Sequence, residues 1–304
     1  MTSERLSQPA AASKAVPLTA FAWLVVLLVS DLPNAIWAAL AGDPPAWLFW
    51  LKAGILAAVV LVSLAWARIR ALRPYFILLL VLMLALWGMN RLMATPEYMR
   101  WQKDAGWALA MVGFQALKVG VTAVMVAALL VLGKRRQDFF LAKGDLKAEV
   151  EPVRWLGITR SRWRRFGPVL AVVLVLATVL FFGLTGGFSA LGALGRGWPL
   201  LLASAVFAAL NAFNEEMQFR APLLGPLHEA LGKQQAIWLT AVFFAFSHYF
   251  GGSPAGVPGV LITALLGFFF AKAMLETRGL GWGWFIHFLQ NTVIYSFAAL
   301  STVS

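Results

Sequence analysis

The sequence predicts an all-α protein, a polytopic membrane helical bundle of about eight or nine spans. Three observations carry that expectation. Of 304 residues, 61% are hydrophobic and only 12% charged, against roughly 45–50% and about 25% in soluble domains. The hydrophobic residues gather in runs long enough to cross a hydrocarbon core, which takes about 20 residues of helix. Those runs lack the two-residue alternation of barrel strands, and in lipid only helices and closed barrels satisfy their own backbone.

Taken in order, residues 1–17 are polar, small and proline-containing, with Arg5 and Lys14 as basic groups. They are expected to form a disordered cytoplasmic tail. Apolar runs follow at about Leu18–Leu40, Ala46–Ala67, Tyr75–Met89 and Trp107–Leu132, so that 18–133 is a set of N-terminal transmembrane helices. Residues 134–166 mix charge with Phe139, Phe140, Leu141, Val150, Trp155 and Leu156, the composition of an amphipathic cytoplasmic linker. Beyond it, runs at about Gly167–Gly187, Trp198–Arg220, Ala236–Phe250, Val257–Leu275 and Gly281–Leu300 make a core over 167–301.

Orientation follows from the basic links. Arg68, Arg70 and Arg73 lie in one, and Lys134, Arg135, Arg136, Arg160, Arg162, Arg164 and Arg165 in another. The positive-inside rule puts both in the cytoplasm and explains the net charge of +12 without nucleic acid. The expected location is a bacterial-type inner or plasma membrane, crossed many times. With no cysteine, the chain has no disulfide, thiolate ligand or cysteine nucleophile.

An ionisable group at membrane depth costs about 2.5–3.5 kcal/mol on insertion scales, so each one in a span asks for a reason. In the second half they fall in three places. Asn214-Glu215-Glu216-Met217-Gln218-Phe219-Arg220 closes a long apolar helix. Arg220, four residues after Glu216, can pair with it, while Glu215 is turned about 100° away and left to accept a proton. The second place is Phe243-Phe244-Ala245-Phe246-Ser247-His248, and the third is His287-Phe288-Leu289-Gln290-Asn291, whose His and Asn share one helical face. A glutamate base, a histidine beside it and a His/Asn pair of donors are the parts that amide hydrolysis needs. Singly, each has a structural explanation in helix packing; together they point to a site.

In their order and spacing these residues resemble the CAAX protease and bacteriocin-processing (CPBP, or Abi) family of intramembrane endopeptidases, related to the CAAX prenyl endopeptidases of the Ras-converting type. The resemblance rests on Glu215-Glu216-x-x-Phe219-Arg220, Phe244-x-x-x-His248 and His287-x-x-x-Asn291, with Gly267, Glu276-Thr277-Arg278-Gly279 and Gly-Trp-Gly-Trp-Phe-Ile-His before the last motif. It covers roughly 167–301. The one departure is Ala221, where a glycine commonly follows the arginine.

The resemblance implies that Glu215 and His248 activate water and that His287 and Asn291 form the oxyanion site. Glu216, Arg220 and Phe244 would support them. No cofactor is favoured; the alternative is a divalent metal such as zinc on Glu215, His248 and His287. A zinc helix of the His-Glu-x-x-His kind is missing, since His228-Glu229 has Gly232 at the second histidine position. The partners implied are a membrane-associated peptide or protein substrate and the lipid bilayer, with the site opening toward the cytoplasm.

Other intramembrane proteases fit less well. A presenilin-like enzyme needs two aspartates in neighbouring spans, and Asp31 stands alone in one. A rhomboid-like helix start needs Gly-x-Ser-Gly, and Gly187-Phe188-Ser189-Ala190 misses its last glycine. The competing readings outside proteolysis are a non-catalytic scaffold or immunity protein of the same fold, and a proton-coupled transporter. For the latter, Lys52 and Lys118 are the clearest buried charges of the first half.

Overall fold

In the computed structural model, residues 9–185, 187–252 and 254–304 are described. The architecture is all-α, with one two-stranded hairpin. The helices are α1 (Pro9–Val29), α2 (Leu32–Ala41), α3 (Trp47–Ala65), α4 (Arg73–Met93), α5 (Pro96–Asp104), α6 (Trp107–Val131), α7 (Trp163–Leu184), α8 (Leu194–Glu215), α9 (Ala221–Leu231), α10 (Lys233–Phe246), α11 (Gly256–Thr277) and α12 (Gly281–Leu300). Helix α1 starts inside the stretch expected to be a disordered tail, and residues 1–8 of that stretch lie outside the described residues.

Among the described residues six helical runs are long and apolar enough to cross a membrane, or seven if the pair formed by α1 and α2, bent by 48°, is one span. The difference from eight or nine arises in two places. Helix α10 has 14 residues, about 21 Å at 1.5 Å per residue, short of a full crossing. Helix α12 has 20 residues but carries His287, Gln290 and Asn291 among its apolar side chains.

By contacts the chain divides into two compact units, residues 1–84 with 222–271, and residues 85–221 with 272–304. The first holds α1–α3, most of α4, and α10. Its core is aliphatic, with Val26, Leu56, Leu78 and Leu79 fully or almost fully buried. Its one strongly polar point is the break between α1 and α2. There Lys52 of α3 donates to the Ser30 carbonyl, to Asp31 Oδ1 and to Asn34 Oδ1 at 3.1, 3.0 and 2.8 Å. The lysine thus satisfies a backbone carbonyl that the bent helix releases, as a break at membrane depth requires.

The second unit holds α5–α8 and α12. Thr95 caps α5, its hydroxyl accepting from the Tyr98 N–H at 3.3 Å, with Pro96 in the first turn. On α7, Val169, Val172, Val173 and Leu176 are exposed, while polar side chains of α6, α8 and α12 are buried. Apolar outside and polar inside is the arrangement lipid demands.

Residues 134–166, expected to be an amphipathic linker, hold a short antiparallel pair. Glu149–Val150 (β1) pairs antiparallel with Ser161–Arg162 (β2), and α7 begins at Trp163, within the stretch assigned to the linker. Phe139, Val150 and Trp163 are buried, while Trp155 stays exposed. The segment grips the turn between α11 and α12. Leu280 N–H donates to the Ala142 carbonyl at 2.8 Å, and Asp145 N–H to the Thr277 carbonyl at 2.7 Å. Gly144, at φ +78°, and Gly279 pack backbone to backbone, and a Cβ on Gly144 would lie 2.6 Å from the Thr277 carbonyl oxygen. A larger residue cannot enter there without moving the main chain.

Candidate active site

Helix α8 does not run straight into α9. Residues Glu216–Arg220 form one π-helical turn between them. Such turns insert an extra residue into the helical ladder and recur at functional sites. All five residues are buried, Glu216 and Arg220 completely.

Around this turn four side chains converge. His287 of α12 places Nδ1 at 2.9 Å from Glu216 Oε1 and Nε2 at 3.4 Å from Glu215 Oε2. One imidazole therefore lies between two consecutive carboxylates. An ionised Glu216 only accepts hydrogen bonds, so the contact puts a proton on Nδ1 and turns Nε2 toward Glu215. Arg220 Nη1 is 2.6 Å from Glu216 Oε1, an ion pair with no exposed surface on either side chain.

Glu215, expected to stand apart from any basic partner, has one. Lys118 of α6 holds Nζ at 2.6 Å from Glu215 Oε1 and at 2.5 Å from Asn211 Oδ1, and Asn211 Nδ2 donates to the same Glu215 oxygen at 3.0 Å. The contact extends along both helices. Gln115 Nε2 donates to Asn211 Oδ1 at 3.4 Å, Asn214 Nδ2 to Gln115 Oε1 at 3.3 Å and Thr122 Oγ1 to Asn214 Oδ1 at 2.9 Å. Gln218 Nε2 donates to the Lys118 carbonyl at 2.8 Å and to Thr122 Oγ1 at 3.0 Å.

Of these α6 residues the sequence reading singled out Lys118 alone, as a buried charge, although the pattern of the set is legible. Gln115, Lys118 and Thr122 stand at i, i+3 and i+7 in one apolar run, and Asn211, Asn214, Glu215 and Gln218 at i, i+3, i+4 and i+7 in another. That period puts each set on a single helical face. Two polar stripes in two spans are most cheaply buried against each other.

Asn291, one turn beyond His287 on α12, is 7% exposed, and its Nδ2 has no hydrogen-bond partner among the described residues. His248 and Phe244 belong to the first unit. Helix α10 ends at Phe246, so His248 sits in the turn after it, half-buried, with Nδ1 at 2.9 Å from the Phe244 carbonyl oxygen and the two rings edge to face at 4.4 Å. That contact fixes the ring orientation.

Beside the cluster, a cavity of about 650 Å³ is lined by Leu146, Phe213, Leu280, Trp282, Trp284 and Phe285 among others. Phe213 precedes Glu215 by two residues and Trp284 precedes His287 by three. The polar cluster and an apolar hollow therefore share two helices.

The residues of α8 and α12 can be compared with known proteins on this footing. Residues 196–293, about a third of the chain, match the family described as type II CAAX prenyl endopeptidase, Rce1-like. The matched segment is similar to that family over these residues. It contains Glu215, Glu216, Arg220, Phe244, His248, His287 and Asn291. No curated protein and no solved structure gives a significant match. Within the matched segment, helix α8 supplies both carboxylates and α12 the imidazole between them; α6, outside the segment, supplies the ammonium that meets the first.

Whether the cluster fits a metal can be asked of its donors. Glu215 Oε1 already takes the Lys118 ammonium and Glu216 Oε1 the Arg220 guanidinium. A divalent cation on these carboxylates would sit against two fixed cations, and repulsion at such distances in a poorly solvated site is large. The residues do not fit a metal in this arrangement.

Proposed function

We propose that the protein is an intramembrane endopeptidase that hydrolyses a peptide bond of a membrane-associated protein or peptide, by a glutamate-type mechanism without a metal. The carrying observation is the buried carboxylate of Glu215 facing the His287 imidazole across 3.4 Å inside the matched segment.

In this reading Glu215, with His248, takes a proton from water as the water attacks the scissile carbonyl. The developing oxyanion is met by Asn291 Nδ2–H and by His287 Nε2–H, the imidazole carrying a proton on each nitrogen in this reading. Support comes from the buried Asn291 Nδ2, a donor without a protein partner among the described residues, one helical turn from His287. Donors held ready for an oxygen that gains charge only in the transition state are what accelerate acyl transfer. Glu216 orients the imidazole from its far side, and Arg220 holds Glu216. When the tetrahedral intermediate collapses, the proton passes to the leaving amine and the base is restored. The apolar cavity lined by Phe213 and Trp284 offers a seat for the apolar part of the substrate, and in this reading the site opens toward the cytoplasm, which the positive-inside rule applied to the basic links supports.

The test uses full-length protein in proteoliposomes with a farnesylated peptide of the CAAX type, the substrate class that the family description names, and reads new termini by mass spectrometry. Glu215→Gln, shown to be folded by its thermal melt, is expected to lose at least about 100-fold in kcat, the usual contribution of a positioned base. Full activity of that variant would sink the mechanism. A wild-type protein that makes no new terminus from this peptide or from membrane-extracted peptides would favour a non-catalytic scaffold.

A further inference from the structure

Lys118 lies outside the segment matched to the protease family, and a lysine in the middle of an otherwise apolar helix has to be accounted for. It is 6% exposed, and its ammonium contacts Glu215 Oε1 and Asn211 Oδ1. Asn211 closes the triangle by donating to the same carboxylate oxygen. The backbone carbonyl of Lys118 accepts from Gln218, so the lysine's own turn is tied to the π-helical turn on the far side of Glu215.

The two oxygens of Glu215 therefore have different surroundings. Oε1 receives an ammonium and an amide N–H, whereas Oε2 is the oxygen that faces His287. A carboxylate held at one oxygen by two donors cannot turn about its last bond, and the direction of the other oxygen is set.

We propose that Lys118 is a positioning residue for Glu215: it locks Oε1 and thereby aims Oε2 as the single oxygen that takes the proton from water. This inference rests on the reading of Glu215 as the base. The first half of the chain then contributes to the reaction through α6. The other charged groups near Glu215 are His287 from α12 and, in the π-turn, Glu216 with Arg220, whose charges offset one another. Lys118 is the cation in direct contact with Oε1.

A merely structural lysine would neutralise a buried carboxylate and affect stability alone. The two roles separate in a double-variant cycle on the full-length protein, using Lys118→Met, Lys118→Arg, Glu215→Gln and the Lys118→Met/Glu215→Gln pair with the farnesylated CAAX-type peptide. Folded Lys118→Met is expected to lose about 100-fold in kcat, the scale of a misdirected base, with KM nearly unchanged. Lys118→Arg should recover at least about tenfold of that loss, since a guanidinium also donates to Oε1. The pair should be no slower than Glu215→Gln alone, because both changes act through one carboxylate.

Lys118→Met with wild-type kcat, beside an inactive Glu215→Gln, would overturn the inference and leave the proposed function standing. An active Glu215→Gln would overturn the function itself. Melting temperatures test the contact itself without turnover, while kcat and the Lys118→Arg rescue decide its role: the pair should melt above Lys118→Met, because removing both partners leaves no uncompensated charge. A pair that melts at or below the single variant would show that Lys118 and Glu215 are not coupled, and the inference would fall.

Discussion

At the residue scale, the proposed chemistry is concentrated on one imidazole between two carboxylates, and the carboxylates are told apart by their cations. Glu216 has Arg220 on its own helical turn and is sealed completely; Glu215 has Lys118 from another helix and retains slight exposure. The difference suits one to hold His287 and the other to meet substrate. Asn291→Ala removes a donor that has no protein partner among the described residues, so it should leave folding intact. Its expected cost is about 10²–10³ in kcat, as for loss of one oxyanion donor, read with the same peptide alongside an unchanged thermal melt. Arg220→Met should behave in the opposite way. It strands the fully buried Glu216, and breaking such a pair from one side costs about 3–5 kcal/mol, which thermal denaturation in detergent would register before any rate is measured.

At the element scale, the π-turn between α8 and α9 and the polar stripes of α6 and α8 do the positioning. Glu215 and Glu216 are consecutive, and on a regular helix they point about 100° apart, yet His287 reaches both with opposite ring nitrogens. The turn between α11 and α12 is set from outside by the 141–146 segment and by Glu276. Glu276 pairs with Lys272 one turn back and accepts from Trp163 Nε1 at 2.9 Å and from the Glu151 N–H at 3.3 Å. Lys272 is 3% exposed. Gly144→Val should therefore disturb α12 from its start. Valine opposes the positive φ, and its Cβ meets the Thr277 carbonyl. The expected result is a lower melting temperature together with faster proteolysis within 134–162, compared by limited digestion with wild type.

At the scale of the whole molecule, the candidate site cannot be assembled from the family-matched segment alone. Lys118, Gln115 and Thr122 belong to α6, and without them Asn211, Asn214, Glu215 and Gln218 would face lipid with their hydrogen bonds unmet. A fragment of residues 163–304 is expected to be recovered as aggregate under detergent conditions that keep the full chain monodisperse in size exclusion. Recovery of a folded fragment would show that α6 is dispensable to the packing of α8.

Much of this was legible before any coordinates. Composition and run length determined an all-α membrane protein, because lipid leaves the backbone few other solutions. The spacing of Glu215-Glu216, Phe244/His248 and His287/Asn291 singled out candidate residues, because few polar residues tolerate such runs without a reason, and of these the structure brings Glu215, Glu216 and His287 together. Short α10 and polar α12 blurred the count of spans, since hydropathy does not register helices supported by other helices. Only the tertiary structure decided which charges meet. The partner of Glu215 lies 97 residues away in sequence, and periodicity places Lys118 on a face of α6 without saying what that face is packed against. Pairing of distant stripes is a property of helix packing, and helix packing is decided by the whole set of faces at once.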